Sequence, residues 1–192
     1  MKDYSKANRG KPFEDLLYYS HEAYQRSGIA CVHKVPTEFI PLRNAYGQVV
    51  SVKVERKSCV DYLGRFRSVP VAVEAKHTED DRIRWDRVED HQAAYMDDFC
   101  ADPSAVGIVV VSFSLNRFYA IPWAAWRAGR EEWRQTPPRH KQKSVTVEAG
   151  GVTWETPAAA SVSAADLPRE WQIKLGGRVG LPYLDIIDGW RI

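Results

Sequence analysis

Cysteine is scarce: Cys31, Cys59 and Cys100 are the only three in 192 residues. Odd in number and without C-x-x-C spacing, they exclude a disulfide framework and a structural zinc site, and they read as reduced thiols. Long apolar runs are missing as well. No stretch approaches the roughly 18 apolar residues needed to cross a bilayer. The opening "MKDYSKANRGKPFEDLL" lacks the apolar segment of a secretion signal, so the expectation is a cytoplasmic chain with no membrane partner. Charge of one sign is not in large excess, the net being +2, which excludes a protein that coats nucleic acid through charge alone. There is no internal repeat.

The charge that is present is unevenly spread. Residues 1–57 carry 10 Lys/Arg against 6 Asp/Glu, residues 58–105 carry 6 against 11, and residues 106–192 carry 11 against 8. An acidic middle between basic flanks suits a metal site set in a polyanion-binding surface, although solvated faces alone would give the same pattern.

At 192 residues and 44% hydrophobic, one domain spanning 1–192 is sufficient. Phe13, Leu16, Leu17 and Tyr24 share a helical face between Asn8 and Gly28, with Pro12 in the first turn. "IACVHK" reads as a strand. "TEFIPLRNAYGQVVSVKVE" reads as two extended arms around a turn, and Pro41 gives it edge character, so residues 37–56 are expected to project as a β-hairpin. After "CVDYLG" and a turn over Arg65 to Ser68 comes the strand "VAVEAKH". It is followed by a helix in "DRVEDHQAAYMDDFC", a buried strand in "AVGIVVVSF", its hairpin partner "RFYAIP" and a helix in "PWAAWRAGREEW". Residues 134–170 are less defined, with a basic loop, a possible hairpin and a linker in "TPAAASVSAADLP". Alternating helices and strands make the class α/β, with a mixed central sheet flanked by helices.

The strand "VAVEAKH" poses a chemical problem. Alternation puts Val71, Val73 and Ala75 on one face and Glu74 and Lys76, with Ala72, on the other. With a turn over Arg65 to Ser68, Gly64 faces Val69, Asp61 faces Ala72 and Cys59 faces Glu74. Asp61 is then the diagonal neighbour of Glu74, about 7–8 Å away at the backbone. Two carboxylates on one face repel unless a cation lies between them. Gln92 is the one polar member of a stripe with Val88, Tyr95, Met96 and Phe99, and a buried amide left unpaired costs roughly 1–3 kcal/mol. The acidic pair would supply its partner, and its side-chain oxygen is a candidate ligand. All-oxygen ligation favours Mg²⁺, with Mn²⁺ as substitute, and Lys76 beside it suits phosphoryl chemistry. An exposed salt bridge on an edge strand is the plain alternative for E-x-K alone.

In order along the chain, "NRGKPFEDLL", "GIACVHKVPTEF", "KSCVDYLGRF", "VAVEAKH", "DHQAAYM" and "LGGRVGLPYLDII" resemble the segments of the RecU family of Holliday junction resolvases, within the P-D…(D/E)-x-K nucleases. The resemblance runs from about Asn8 to Ile187. It implies a restriction-endonuclease-like core and a Mg²⁺-dependent homodimer without a small-molecule cofactor. It also implies a hairpin stalk entering a four-way DNA junction and paired symmetric nicks in recombination and repair. Asp61, Glu74 and Gln92 match the family's metal ligands, Lys76 its transition-state-stabilising lysine and Glu14 the acid on the first helix. Cys59 stands at the metal site where the family usually has threonine, and the hairpin is shorter than is usual. Arg9, Lys11, Lys34, Arg43, Lys53, Arg56 and Lys57 are candidate DNA phosphate contacts. A related nuclease with a linear, phage or restriction-type target, or a junction-binding protein that does not cut, would share these residues. His91 reads as a structural hydrogen-bond partner, and His77 as facing the core side of its strand.

Overall fold

The computed structural model describes residues 10–137 and 140–190. In chain order the elements are α1 (Lys11–Arg26), β1 (Ala30–Lys34), β2 (Glu38–Arg43), β3 (Val49–Arg56), β4 (Tyr62–Phe66), β5 (Val69–Thr78), β6 (Arg82–Arg84) and α2 (Asp90–Phe99). They continue as β7 (Val106–Phe113), β8 (Arg117–Pro122), α3 (Trp123–Gln135), β9 (Thr146–Ala149), β10 (Val152–Glu155), β11 (Ser161–Ser163) and β12 (Gln172–Ile173). Six strands make one mixed sheet in the order β1-β4-β5-β7-β8-β12. Within it β5 and β7 run parallel, and the other pairs are antiparallel.

Side-chain alternation divides the core into two layers. Val71 and Val73, Ile108 and Val110, and Phe118 and Ala120 face Phe13, Leu17 and Tyr24 of α1. Ala72, Val109, Val111 and Ile121 face Ala93 and Met96 of α2 and Trp123 and Trp126 of α3. Both faces of the sheet are therefore covered, which is why its central strands read as nearly continuous apolar runs. This is the expected α/β class with a mixed sheet flanked by helices, consistent with a nuclease-like core.

Four details differ from the sequence reading. The β4–β5 turn holds two residues, not four: Phe66 pairs with Val69 and Gly64 with Val71. Arg67 takes φ +52, a left-handed conformation that suits a tight hairpin, and Phe66 stays in the strand because its ring is buried against Tyr24. One step past the ladder, Asp61 then falls across from Glu74, not across from Ala72. α2 begins at Asp90 because Glu89 and Gln92 form a capping box there. Trp85–Arg87 form a separate 3₁₀ turn, so Val88 is buried but lies outside the helix. Finally, "TPAAASVSAADLP" is packed: β11 pairs with β6, and the buried Trp85 indole donates to the carbonyl of Ala159 at 2.8 Å. Its small side chains let the backbone lie close to that ring.

β2 and β3 form a separate two-stranded sheet, and every residue of β2, Pro41 included, is exposed. No helix among the described residues is long and apolar enough to cross a membrane.

Candidate active site

β5 carries Glu74 and Lys76 on the face that α2 covers. Glu74 is fully buried. Its Oε1 accepts from Lys76 Nζ at 2.5 Å and from Gln92 Nε2 at 2.6 Å. Its Oε2 is buried with no hydrogen-bond partner. Burial raises the Glu74 carboxyl above the usual glutamate range, Lys76 pulls it back, and the neighbouring Asp61 carboxylate raises it again. A buried carboxylate with one bare oxygen beside a second carboxylate lacks a positive charge on that side.

Asp61 is held from two directions. Its Oδ2 accepts from the backbone N–H of Ala75 at 2.9 Å, and its carbonyl accepts from Val35 N at 2.8 Å. β5 on one side and the exit of β1 on the other thus fix the carboxylate at the end of the β4 ladder. The predicted pairing of Gln92 with the acidic site is present, but in reverse polarity: the amide nitrogen meets Glu74. The amide oxygen accepts from the N–H of Glu89 at 3.0 Å and from Lys76 at 3.4 Å. Gln92 thus caps its own helix while it orients Glu74 and Lys76.

Glu14, from α1, reaches the same place. Together with Asp61, Lys76, His77, Glu79 and Arg87 it lines a cleft of about 530 Å³, and its Oε2 accepts from Lys34 Nζ at 2.6 Å. Cys59 does not line this cleft. It is half-buried and packs, like Tyr95 of α2, against the core layer on the α2 side of the sheet. Among the described residues no group of three or more His, Cys, Asp or Glu side chains is close enough to hold a metal. The fit to a cation therefore rests on Asp61 and the bare oxygen of Glu74. This pair of hard oxygens suits Mg²⁺ or Mn²⁺, ions that keep several waters and need few protein ligands.

The candidate phosphate contacts are scattered. Lys34 is bonded to Glu14, Lys11 to Asp15 at 3.1 Å, and Lys57 to Glu89. Arg43 donates to Gly47 O at the hairpin turn at 2.7 Å, and Lys53 is exposed on β3. Arg9 and the side chain of Arg56 lie outside the described residues. His91 meets the carbonyl of Ser58 at 3.1 Å, a structural contact as expected. His77 packs near Phe13 on the α1 side, with Nδ1 3.1 Å from Ser112 Oγ and Nε2 2.9 Å from Glu79. Arg87 was not singled out from the sequence. It lines the cleft and donates to His77 O at 3.3 Å. Nothing in its local pattern marks it, because it sits in the 3₁₀ turn where a helix was expected.

Residues 8–150 match the family model described as Recombination protein U. The chain is 28% identical over 122 residues to Holliday junction resolvase RecU of Streptococcus pneumoniae, a match covering 60% of this chain and 62% of that protein. It is 23% identical over 196 residues to Holliday junction resolvase RecU of Lactobacillus delbrueckii subsp. bulgaricus, covering 98% of this chain and 83% of that protein. The matched model takes in α1, the hairpin, the approach to β4, β5 and α2, and with them Glu14, Asp61, Glu74, Lys76 and Gln92; with well over half of its length matched in this way, the chain belongs to the RecU family.

Proposed function

We propose that this protein is a Mg²⁺-dependent endonuclease that resolves Holliday junctions in recombination and repair, cutting two opposed strands symmetrically as a homodimer. The observation that carries the reading is the buried, bare Oε2 of Glu74 beside Asp61, with Lys76 Nζ 2.5 Å from the other oxygen. Asp61 and Glu74 would hold the cation. When bound, it would supply neutralising charge and the activation of water for phosphodiester hydrolysis. Lys76 is placed to meet charge that builds on the phosphate oxygens. Gln92 keeps Glu74 and Lys76 in register, and Glu14 with Lys34 forms the opposite rim.

The hairpin β2–β3 supports a branched target. Phe39, Ile40, Leu42, Val50 and Val52 are all exposed on it, and such an apolar projection fits the open centre of a junction better than the grooves of a linear duplex. Arg43 and Lys53 sit on the same hairpin as phosphate contacts.

The test uses purified protein, a labelled four-way junction and Mg²⁺ or Mn²⁺, with a linear duplex of the same sequence alongside. Paired nicks at opposed positions are the expected result. Cutting of the linear duplex alone would point to a nuclease with another target, and tight binding without turnover to a junction-binding protein. Full activity in Asp61→Asn would sink the proposed site.

A further inference from the structure

We propose that the pocket between α1 and β1 is a subsite for the nucleobase next to the scissile phosphate, so that this protein cuts with a preference for one flanking nucleotide. The inference rests on the nuclease reading above and deepens it.

The cleft over Asp61 does not end at Glu14. A small cavity shares Asp61, Ala75 and His77 with it, and shares Glu14, Lys34 and Tyr62 with a further pocket of about 330 Å³. The three make one trough that passes the catalytic acids and ends between the helix and the strand. A strand of DNA whose phosphate lies at Asp61 and Lys76 therefore has its next nucleotide at the mouth of that pocket. The volume falls at the low end of the roughly 300–1,000 Å³ usual for small-molecule sites, enough for one base and its sugar.

The chemistry of the walls selects a base over a phosphate. Tyr18 offers exposed aromatic surface, and a base stacks on such a ring whatever its identity. Asp15 and Glu22 also line the pocket. Carboxylates repel a phosphate but accept from exocyclic amino groups of bases. His21 closes the inner end: its Nε2 meets the hydroxyl of Tyr183 at 2.7 Å, while Nδ1 makes no hydrogen bond among the described residues. Gln25, exposed at the rim, adds an amide that can both donate and accept. Stacking surface with neutral and acidic readers is what base recognition needs, and the two lysines that line the pocket are each held by a carboxylate: Lys11 by Asp15, and Lys34, which the pocket shares with the small cavity, by Glu14.

Tyr18 is 59% exposed and Gln25 is also exposed, so Tyr18→Ala and Gln25→Leu leave the core intact. The experiment places 2-aminopurine at each position flanking the cut in a four-way junction and reads its fluorescence on binding in EDTA. In parallel, cut sites are mapped with Mg²⁺ in a junction library randomised at the same positions. Wild type is expected to change the signal at one position and to prefer one nucleotide there. Each variant should lose the signal and flatten the preference, cutting the preferred junction about tenfold more slowly with binding nearly unchanged. A signal or preference identical in wild type and both variants, or a wild type with no preference, overturns the subsite while leaving the nuclease reading in place. A wild type that neither binds nor cuts any junction overturns both.

Discussion

Glu74→Gln should abolish cutting and yet make the metal-free protein more stable. In the native fold Glu74 is fully buried, one oxygen is bare, and Asp61 lies beside it. With Lys76 the cluster carries two negative charges and one positive; glutamine leaves one of each. An unpaired buried polar atom costs about 1–3 kcal/mol, and part of that is recovered as Lys76 turns its attraction to Asp61, so a gain of about 1–2 kcal/mol is expected above neutral pH. For a chain of this size that corresponds to roughly 2–8 °C in Tm. The pH dependence has a fixed sign. The folded-state carboxyl is raised by burial and by Asp61 against the pull of Lys76, so the native state holds its proton longer than the unfolded chain does. Stability present below the ordinary glutamate range is then lost as pH rises through the raised folded value. Calorimetry in EDTA between pH 5 and pH 8.5 should show the advantage of Glu74→Gln growing with pH. Added Mg²⁺ should raise the Tm of wild type and not that of the variant. A variant less stable than wild type at pH 8 in EDTA, or an advantage that shrinks as pH rises, would refute the reasoning.

Lys76→Met should lower single-turnover cleavage by about 10²–10³ if its cation meets the developing phosphate charge, with junction affinity by gel shift changed little; a parallel loss of binding would make it a docking residue instead. Gln92→Ala removes both the donor to Glu74 and the acceptor of the Glu89 N–H. It should cost about 1–2 kcal/mol in urea unfolding and speed hydrogen exchange at the start of α2, and an unchanged midpoint would count against the double role. Gly64→Ala would place a Cβ 2.0 Å from the carbonyl oxygen of Cys31, forcing β1 from β4. A loss of about 3 kcal/mol is expected, and a neutral effect would contradict the close approach of the two strands.

Several parts of the site were legible along the chain because they depend on short periods. The two-residue alternation of β5 places Glu74 and Lys76 on one face whatever lies around it, and helical spacing marks Gln92 as the polar member of a buried stripe. Other parts were not legible because they depend on geometry set elsewhere. A turn of two residues at Arg67 and Ser68, in place of four, shifts the β4 register by two positions. The choice is made by Phe66 burying its ring against Tyr24, a contact between residues 42 positions apart in the chain. Arg87 was hidden by a 3₁₀ turn where the periodicity suggested helix. The alanine-rich segment after Thr156 looked like linker because its partner, Trp85, is far away in sequence.

By itself, then, the chain determines which groups are candidates for the chemistry: an acid and a lysine two apart on a strand, a second acid upstream, an amide on a helix. Only the tertiary structure decides what state those groups are in. The packing of α2 over the far face of β5 removes Glu74 from water, and the capping box turns the oxygen of Gln92 toward Glu89 and away from the acids. The tight β4–β5 turn sets Asp61 across from Glu74. Burial, amide polarity and register each depend on residues distant in sequence, and together they leave two carboxylates short of a positive charge beside the core.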